Sequence, residues 1–405
     1  MQDKETSRAS EKAQAPANSG PLAGIRVLDI ATFIAAPYAA TLMAEFGADV
    51  VKVELPGSGD PNRRFGSMTE CGETLPWLSE ARNKRSIALD LRTPVGAATF
   101  KRLVAVADVV CENFQPGTLE SWGLGWDVLQ ALNPRLVMLR ISGYGQTGPY
   151  SGRPGFGRIA NAFGGISFLA GDPEGPPVTP GSATLADYLS GLYGVVGVLM
   201  ALRARDAAGA PGQVVDIGLY ESVFRILDEL APAYDLFGTV RQRMGPATVN
   251  VVPHSHYPTG DGRWVAIACT SDKIFARLCE VMGRPALAAA DRFAAIAQRE
   301  AARAEVDGIV TDWTRGLTRD AVLAACAEGQ VPCGPVYGID EIFDDPHYAA
   351  RGNIARVPEP RLGRSLAVPA PVPRMTGTPG AIRWLGPPLD AHAREILAEW
   401  LGQAP

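Results

Sequence analysis

Residues Gly24 to Glu54 read GIRVLDIATFIAAPYAATLMAEFGADVVKVE, and this stretch decides the predicted fold. GIRVLDIA has the pattern of an apolar strand, and PYAATLMAEFG that of a short helix opened by Pro37 and closed by Gly47. ADVVKVE is a second apolar strand. Strands that are apolar on both faces are typical of parallel sheets covered by helices on both sides. The stretch therefore predicts a βαβ unit within a parallel sheet.

The segments that follow continue this alternation. Strand patterns occur in ARNKRSIALDL, ADVVCENF and RLVMLRIS, and helical patterns occur in TPVGAATFKRLVAVA and WDVLQALN. Strands and helices that alternate along the chain indicate a sheet with helices on its faces. We therefore expect an α/β protein whose large domain is Rossmann-like and built on a parallel sheet.

Beyond this region the pattern predicts a second domain. Residues 156–180 are rich in glycine and proline, so we expect irregular structure there, followed by helices over Thr184–Arg205 and Leu219–Phe237. GRWVAIACTS then starts a new strand, with several helical segments after it. The predicted division is a disordered tail (1–20), a large domain (21–225, completed by 346–405 through the helix REILAEWLG) and a smaller α+β domain (240–345).

Composition narrows the functional class. The chain has 405 residues, a net charge of −5 and 46% hydrophobic residues, which argues against nucleic-acid or anionic-membrane binding. The first nineteen residues lack the apolar core of a signal peptide, so we expect a cytoplasmic protein. The most apolar run, Leu189–Leu202, is too short to span a membrane and predicts a closely packed internal helix.

Six scattered cysteines without a C-x-x-C pair predict reduced, buried thiols rather than disulfides or a zinc site. The basic residues Arg82, Lys84, Arg85 and Arg92 are open to two interpretations. Such a cluster is usually a solvated face, but arginine side chains also bind phosphates through paired hydrogen bonds. An anionic ligand is therefore a hypothesis for this cluster.

The segment GYGQTG, from Gly143 to Gly148, fits the G-x-G-x-x-G pattern of a dinucleotide-binding loop. In such a loop the third glycine opens a helix whose N-terminus binds the pyrophosphate. Here Gly148 is followed by PYSGRPGFG, whose prolines and glycines exclude a helix. The pattern therefore predicts a glycine-rich ligand loop at the carboxyl end of a strand, and it argues against a nicotinamide or flavin site.

Asp187 is the carboxylate with the clearest functional interest. It lies three residues after Thr184 at the start of an apolar helix, which is the spacing of a capping box, and the motif alone favours that structural role. The alternative is a carboxylate nucleophile that the helix dipole keeps ionised at neutral pH. Spacing leaves both interpretations open.

The histidines do not form a convincing metal-binding pattern. His254 and His256, in VVPHSHYPTGDG, would share one face of a strand. Since the pattern offers no third ligand nearby, we expect no metal. The structural alternative is a polar loop that precedes a strand. A third interpretation is a loop near the substrate that donates hydrogen bonds to it.

Five segments between Pro21 and Ser222 resemble, in order and spacing, the class III CoA-transferases, the family of formyl-CoA:oxalate and carnitine CoA-transferases. They read PLAGIRVLDIATFIAAPYAATLMAEFGADVVKVE, GDPNRRFG, RNKRSIALDLRTPVG, ADVVCENFQPGTLESWGLGWDVLQALNPRLVMLRISGYGQTGPY and PGSATLADYLSGLYG. Within the family, PGFGRIANAFGGISFLAG, VTPGSATLADYLSGLYG and PHSHY are most similar to enzymes that transfer CoA from succinyl-CoA to malate, citramalate, itaconate or mesaconate.

The resemblance implies a mechanism and a set of contacts. The aspartate that matches Asp187 attacks the donor thioester, forms a mixed anhydride and is then converted by the released thiolate into an aspartyl-CoA thioester. CoA thioesters are substrates, and no metal or permanently bound cofactor is implied. We expect the backbone at Gly145 to approach the thioester end. The family's CoA contacts carry over onto Ile34, Ala35, Leu89, Asp90, Leu91, Arg92, Asn113, Phe114 and Gln115.

The sequence departs from the formyl-CoA:oxalate enzymes in ways that bear on the acceptor. Ser121 and Trp122 stand where that subgroup has an arginine and a methionine, and VNVVPHSHY replaces its run of four glycines. Oxalate is therefore not the expected acceptor. We expect a larger dicarboxylate whose distal carboxylate meets Arg153, His254 or His256. The resemblance further implies a homodimer of interlocked chains.

Three alternatives follow from the same resemblance. One is intramolecular CoA transfer between two carboxyl groups of one acid. Another is a racemase-like isomerase of 2-methylacyl-CoA, which uses a histidine that would fall in residues 113–150, where this chain has none. The third is a non-catalytic CoA-binding subunit partnered by an active homologue, an interpretation against which Asp187 speaks.

Overall fold

The computed structural model describes residues 20–182 and 184–403. The predicted tail, residues 1–20, lies outside these ranges except for Gly20. The chain divides into two compact units. The first comprises the described residues up to Ile166, Gly181–Glu229 and those from Gly352 onward, and the second comprises Ser167–Pro180 and Leu230–Arg351. Residues 167–180 thus belong to the second unit, whereas the sequence-based division had placed them in the large domain.

The strands of the described residues are β1 (Arg26–Asp29), β2 (Asp49–Glu54), β3 (Lys84–Ala88), β4 (Val109–Glu112), β5 (Val137–Ser142), β6 (Val214–Gly218), β7 (His254–Pro258), β8 (Trp264–Ala268), β9 (Cys333–Pro335), β10 (Ile354–Glu359) and β11 (Arg364–Pro369). The α-helices are α1 (Ala35–Glu45), α2 (Leu75–Glu80), α3 (Pro94–Val104), α4 (Thr118–Ser121), α5 (Trp126–Leu132), α6 (Gly157–Phe163), α7 (Ile166–Leu169), α8 (Leu185–Ala208), α9 (Leu219–Arg225), α10 (Leu230–Phe237), α11 (Asp272–Val281), α12 (Ile296–Ala301), α13 (Arg303–Arg315), α14 (Arg319–Glu328), α15 (Ile339–Asp344), α16 (Pro346–Arg351) and α17 (Ala393–Leu401). Short 3₁₀ helices cover Pro61–Arg64, Pro285–Ala289 and Pro360–Leu362.

The first unit is built on a sheet with the strand order β3-β2-β1-β4-β5-β6, in which every neighbouring pair is parallel. This is the Rossmann-like strand order. The chain adds β2 and β3 on one side of β1 and then continues with β4 on the other side, so the order reverses between β1 and β4. The predicted α/β class and parallel sheet are therefore confirmed. Strand β6 was not predicted, because QVVDIG is a short apolar run between a long helix and a second helix.

Both faces of this sheet are covered, as its apolar strands require. Successive residues of β1 point to opposite faces, so Val27 belongs to the core cluster that includes Met43 of α1, and Leu28 to the cluster that includes Phe100 of α3. The C-terminal helix α17 completes the second cluster with Trp400. The predicted docking of REILAEWLG on the first unit is therefore confirmed.

Helix α8 is longer than predicted. With 24 residues it is long and apolar enough to cross a membrane by length and composition only, so the length argument from the sequence was wrong. Its glycines instead mark close packing inside the unit. A Cβ on Gly191 would lie 2.7 Å from the Ala35 carbonyl oxygen, and one on Gly194 would lie 3.0 Å from the Leu139 side chain. The prediction of close packing is therefore confirmed for the glycine face of α8, while Leu192, Val196 and Met200 are exposed, so the helix is not internal on all sides.

Two local predictions are wrong. Residues 156–180 are not irregular throughout, because α6 and α7 lie within them. The single helix predicted over Leu219–Phe237 is instead two helices, α9 and α10. Asp228, between them, has a φ of 50°, a left-handed conformation that a right-handed helix does not contain.

The second unit contains the antiparallel sheet β7-β8-β9. Its core includes Tyr257 of β7 and Leu278 of α11. This arrangement of strands and helices is the predicted smaller α+β fold. VVPHSHYPTGDG thus contains a strand rather than only a polar loop, and His254 and His256 lie on the more exposed face of β7 while Ser255 and Tyr257 are buried.

The cysteines largely follow the prediction. All six lie in the described ranges and are unpaired, and four of them are buried. Cys71 and Cys333 are only half-buried. The six thiols form no disulfide in the structure, and full burial holds for Cys111, Cys269, Cys279 and Cys326 alone. Their reduced state stays a prediction.

Candidate active site

The turn between β1 and α1 lies at the carboxyl end of the sheet, beside the point where the strand order reverses. Open α/β sheets bind ligands at this position. The turn contains no glycine, yet Phe33 has a φ of 61°, which is uncommon for a residue with a side chain. Helix α1 begins directly afterwards, and its N-cap residue, Ile34, makes no side-chain capping bond. The first backbone N–H groups of α1 are thus without a side-chain cap.

A pocket of about 310 Å³ opens at this edge, and Asp187 contributes to its wall; we call it the Asp187 pocket. Its walls come from the turn after β1, the segment after β4, the end of β5, the loop at 153–156 and the starts of α8 and α9. The lining residues are Thr32, Phe33, Ala35, Asn113, Phe114, Gln115, Pro116, Ile141, Ser142, Gly143, Arg153, Pro154, Gly155, Phe156, Asp187 and Leu219.

A second pocket of about 360 Å³ adjoins the first, and we call it the Arg92 pocket. Thr32 and Phe114 line both pockets, so the two form neighbouring parts of one cleft. Its other walls carry aromatic and charged side chains: Arg64 and Arg92 lie there with Trp122, and the acidic residues Glu54, Asp60 and Asp90 line the same pocket. Phe114 and Trp122 pack edge to face with their ring centres 5.3 Å apart. The cleft therefore combines an aromatic end that carries arginines and carboxylates with an end that carries Asp187.

Several predicted site residues meet in this cleft. Ala35, Asn113, Phe114, Gln115, Arg153 and Asp187 line the Asp187 pocket, and Leu89, Asp90, Leu91 and Arg92 line the Arg92 pocket. Ile34 is buried and lines neither. Segments from five separate parts of the chain are thus brought to one edge of the sheet.

The structure places Gly145 outside the walls of both pockets, and its predicted approach to the thioester stays a prediction. A Cβ at this position would be 3.8 Å from a carboxylate oxygen of Asp216. Asp216 also accepts the backbone N–H of Gln146 at 3.1 Å. The loop residue that lines the Asp187 pocket is Gly143, whose Cα packs so closely on Gly155 that an added Cβ would come within 2.8 Å. Gly143 therefore keeps the two loops together at the pocket wall.

His254 and His256 belong to the second unit. Neither lines the two pockets of the first unit, and their predicted role in substrate binding stays a prediction. Within residues 20–182 and 184–403, no group of three or more His, Cys, Asp or Glu side chains is arranged to hold a metal ion.

The surroundings of Asp187 do not form a capping box. Thr184 is the N-cap of α8, but its side chain makes no capping bond. Its backbone N–H donates to Ser182 Oγ at 3.2 Å, where a capping box would use the carboxylate of Asp187. Asp187 is therefore not committed to capping, although the motif favoured that role.

Burial sets the charge state of Asp187. Removal from water raises the pKa of its carboxyl to about 6, and a hydrogen bond from its own backbone N–H opposes this only in part. The sequence-based interpretation named the helix dipole and did not include the effect of burial on this pKa. With a pKa of about 6, the carboxylate is still mostly ionised at neutral pH. A half-buried, ionised carboxylate is more basic than a solvated one, which favours nucleophilic attack.

Some polar side chains of the Asp187 pocket already make hydrogen bonds inside the chain, and one does not. The Asn113 side chain accepts from Thr32 N at 2.8 Å and donates to Thr32 O at 2.7 Å. Gln115 donates to the Gly152 carbonyl oxygen at 2.6 Å. Ser142 Oγ is buried and has no hydrogen-bond partner among the described residues. This hydroxyl is available to a ligand, and the sequence analysis missed it because serine at a strand end has no distinctive pattern.

The predicted basic cluster separates in the structure. Arg82 is buried in an ion pair with Glu45 at 2.5 Å, and Lys84 in one with Asp29 at 2.8 Å. Arg85 pairs with Asp49 at 2.6 Å. Only Arg92, whose side chain is 56% exposed, lines a pocket. The interpretation of the whole cluster as a solvated or phosphate-binding face is thus wrong for Arg82 and Lys84, whose charges are used inside the unit.

Comparison with known proteins gives this cleft a context. Residues 22–393 match the family model described as CoA-transferase family III. The chain is 56% and 52% identical to the beta and alpha subunits of succinyl-CoA:L-malate CoA-transferase from Chloroflexus aurantiacus, over 94% of this chain and 94% and 89% of those chains. It is 46% identical to succinyl-CoA:D-citramalate CoA-transferase from the same organism, over 94% of both chains.

A solved structure agrees with these sequence relatives. The crystal structure of a CAIB/BAIF family protein from Brucella suis superposes with a TM-score of 0.82 at 34% identity, over 94% of this chain and all of the other. The family model spans most of the chain, and the relatives named above are 46–56% identical to it over nearly its whole length. The chain therefore belongs to CoA-transferase family III and is a CoA-transferase.

Proposed function

We propose that this CoA-transferase moves CoA from succinyl-CoA to a C4 or C5 dicarboxylic acid such as malate or citramalate, through a thioester on Asp187. The observation that carries the proposal is the position of Asp187, an unpaired and partly buried carboxylate at one end of a cleft whose other end offers Arg64 and two aromatic rings. The relatives with the highest identities quoted above are named for succinyl-CoA with malate or citramalate.

The first half of the reaction uses Asp187 as the nucleophile. Its carboxylate attacks the carbonyl carbon of succinyl-CoA, the C–S bond breaks, and a mixed anhydride and the CoA thiolate result. The thiolate then attacks the Asp187 acyl carbon of the anhydride, which releases succinate and leaves an aspartyl-CoA thioester. A raised pKa suits this role, since the carboxylate is ionised at neutral pH yet more nucleophilic than an exposed one.

The second half repeats these steps in reverse. A carboxylate of the acceptor acid attacks the aspartyl-CoA carbonyl, which expels the thiolate and forms a second mixed anhydride. The thiolate then attacks the acyl carbon of the acceptor, so that the new acyl-CoA forms and Asp187 returns to a carboxylate. Each tetrahedral intermediate needs a hydrogen-bond donor for its oxyanion. The uncapped first turn of α1 and the hydroxyl of Ser142 are the candidate donors in the Asp187 pocket.

The Arg92 pocket suits the nucleotide end of CoA. Arg64 supplies positive charge for a phosphate. Arg92 is paired with Asp90 at 2.7 Å and would have to exchange this carboxylate for a phosphate. The rings of Phe114 and Trp122 offer surfaces on which a purine can stack. Trp122 would thereby contact the adenine at the position where the formyl-CoA:oxalate enzymes have a methionine. Because Thr32 and Phe114 belong to both pockets, the pantetheine arm would pass between them toward Asp187.

Arg153 is the candidate for recognising the acceptor. Its guanidinium group lies 3.7 Å from the ring centre of Tyr150 and lines the Asp187 pocket. A guanidinium held on an aromatic ring is well placed to bind a carboxylate through two hydrogen bonds. We therefore assign the distal carboxylate of the acceptor to Arg153.

The active species is proposed to be a dimer, either of this chain alone or with a homologous sister chain. Two relatives are named as alpha and beta subunits of one enzyme, which favours testing the second form. Leu192, Val196 and Met200 leave an apolar strip of α8 exposed in the single chain. The molar mass of the purified chain in solution, with the transferase activity of the same fraction, distinguishes the two forms.

Trapping of the intermediate tests the mechanism. The enzyme is incubated with succinyl-CoA and then with hydroxylamine, which converts an aspartyl thioester into a hydroxamate, and the modified peptide is identified by mass spectrometry. We expect the hydroxamate on Asp187, and none in Asp187→Ala. A modification on another residue, or normal turnover by Asp187→Ala, would refute the mechanism.

A panel of acceptor acids tests the substrate. Malate, citramalate, itaconate, mesaconate and oxalate are each supplied with succinyl-CoA, and the new acyl-CoA is measured. We expect malate or citramalate to be used best and oxalate not to be used. If no acid accepts CoA while an acyl-CoA with two carboxyl groups is rearranged, the reaction is the intramolecular transfer instead.

A further inference from the structure

The segment GDPNRRFG, Gly59–Gly66, was part of the family resemblance but received no role. Its aspartate, Asp60, is 3% exposed. Asp60 precedes the 3₁₀ helix Pro61–Arg64, and its Oδ1 accepts the backbone N–H of Asn62 at 2.8 Å. On this bond alone Asp60 would be a local helix cap.

The same oxygen also makes a contact far along the chain. Asp60 Oδ1 accepts the backbone N–H of Phe33 at 3.1 Å, across 27 residues of sequence. Phe33 is the residue with a φ of 61° in the turn after β1. Such a conformation is unfavourable for a residue with a Cβ and persists only where surrounding groups hold it. Asp60 is one of the groups that hold it.

Two further side chains hold the neighbouring residues of this turn. Lys52 Nζ donates to the Ala31 carbonyl oxygen and forms an ion pair with Asp60 Oδ2 at 2.9 Å. Asn113 binds both the N–H and the carbonyl oxygen of Thr32. Residues 31, 32 and 33 are thus each bound by a side chain from a different segment.

The fixed turn forms a wall of the Asp187 pocket. Thr32 and Phe33 line that pocket. The ring of Phe33 packs edge to face against Phe65 and Phe156, with ring centres 6.1 and 6.3 Å apart, and Phe156 lines the same pocket. A change in the backbone at Phe33 would therefore move both the turn and the aromatic side chains around the reacting carboxylate.

We propose that Asp60 is a positioning residue for the transferase reaction: it keeps Phe33 in the left-handed conformation and thereby sets the wall of the pocket in which Asp187 reacts. This inference rests on the proposed function of Asp187. Asp60 acts on the reaction through the backbone of Phe33 and through Lys52. It also lines the Arg92 pocket, so the geometric effect is the one that appears in kcat rather than in KM for succinyl-CoA. Enzymes are sensitive to small displacements of the groups around the reacting atoms.

The test is a mutant cycle between positions 60 and 33. Asp60→Ala removes the acceptor, while Asp60→Asn keeps an oxygen that can accept from Phe33 N and loses the ion pair with Lys52. Because glycine adopts a positive φ without cost, Phe33→Gly relieves the need for Asp60, whereas Phe33→Ala removes the same ring and keeps the strain. Both Phe33 variants are made with and without Asp60→Ala.

We expect Asp60→Ala to lower kcat/KM for succinyl-CoA about tenfold or more, mainly through kcat, and Asp60→Asn to lose less. In the Asp60→Ala background, Phe33→Gly should be about three- to tenfold more active than Phe33→Ala. In the parent background the two Phe33 variants should differ less. Equal activities of the glycine and alanine variants in the Asp60→Ala background would overturn the proposal.

A control and a second measurement keep the result interpretable. Asp108 accepts the backbone N–H of Arg26 at 2.9 Å at the opposite end of β1, so Asp108→Ala removes a similar bond away from the pocket and should leave kcat unchanged. Amide hydrogen exchange at Phe33 should be faster in Asp60→Asn than in the parent, because a neutral amide oxygen accepts a weaker hydrogen bond than a carboxylate and the ion pair with Lys52 is lost. Unchanged exchange there would also contradict the proposal, even if Asp60→Ala fails to fold. Failure of the Asp187 mechanism appears separately, as turnover by Asp187→Ala.

Discussion

Two carboxylates at the same edge of the first unit have opposite surroundings. Asp29, at the end of β1, is fully buried and lies 2.8 Å from Lys84 Nζ and 3.4 Å from Lys52 Nζ. Burial alone would raise its pKa, but the two ammonium groups outweigh burial and hold the pKa below its usual value. Asp187 is half-buried, and burial raises its pKa to about 6 without a lysine or arginine that offsets it among the described residues.

The difference shows how one residue type serves two purposes in one unit. The charge of Asp29 is used to bind two lysines, one of which also holds the turn after β1 through the Ala31 carbonyl oxygen. A carboxylate with such partners is a poor nucleophile, because its lone pairs are engaged. Asp187 lacks these partners and remains reactive. The presence or absence of lysine partners therefore distinguishes the structural carboxylate, Asp29, from Asp187, which is available for chemistry.

The largest effect is expected from Asp187→Asn. Loss of the nucleophile should lower kcat about 10³-fold or more, while the unfolding free energy should not fall, since Asp187 has no ion pair to lose. Steady-state rates and urea unfolding measure the two quantities. Asp206→Asn, an exposed carboxylate paired with Arg135 and Arg205, is the control and should keep its rate. A pure capping role predicts the reverse for Asp187→Asn, a kept rate and a small loss of stability.

The opposite pattern is expected from Asp29→Asn. Removal of this charge leaves Lys52 and Lys84 buried with less compensation, and breaking a buried ion pair on one side costs about 3–5 kcal/mol. Urea unfolding should show this loss. An unchanged unfolding midpoint would mean that Asp60 and Glu54 compensate for both lysines and that the contrast between the two carboxylates is weaker than the geometry indicates.

The pH dependence of the rate follows from the pKa of Asp187. Since the reactive form is the carboxylate and its pKa is about 6, kcat/KM for succinyl-CoA should fall about tenfold per pH unit below pH 6 and level off above it. A profile that stays flat down to pH 5 would contradict the assignment of the nucleophile.

The raised pKa of Asp187 also predicts a smaller effect, on the free energy of unfolding. The folded pKa lies above the unfolded value of 3.8, so ionised Asp187 destabilises the folded chain, and its contribution becomes less favourable as the pH rises from about 4 to 6. Asp187→Asn should therefore be more stable than the parent by about 1–3 kcal/mol at pH 8 and lose this advantage near pH 4. Unfolding curves of both proteins at the two pH values measure the difference. The lowered pKa of Asp29 predicts the opposite sign, a stabilisation that is lost as the pH falls.

The smallest effect is expected from Ser142→Ala. If the free hydroxyl donates to the substrate, kcat/KM should fall about tenfold with unchanged stability, since no bond inside the chain is lost. Ser190 is the matched control: its hydroxyl lies 3.1 Å from that of Ser222, so Ser190→Ala should lower stability and leave the rate unchanged. Unfolding and steady-state measurements on both variants separate a partnered serine from an unpartnered one.

Much of the fold was predictable because periodic apolar patterns reflect burial directly. The strands β1 to β5, the helices between them and the docking of α17 all follow from such patterns. Predictions failed where a local feature had no pattern: β6 is a short run, and the left-handed Asp228 divides a segment that otherwise looks like one helix. The length of the apolar run Leu189–Leu202 was also a poor guide, because the whole helix α8 is long and apolar enough to cross a membrane and only its packing marks it as part of the unit.

The candidate site divides in the same way. The sequence by itself determined the parallel sheet, the family resemblance and the choice of Asp187, because these depend on residue types at fixed spacing. Only the tertiary structure decided that Asp187 is not a cap, that Arg82 and Lys84 are buried, that Gly143 rather than Gly145 lines the pocket, and that Asp60 reaches Phe33. Charge pairing and hydrogen bonds between distant segments depend on distances in space, and spacing along the chain does not contain them.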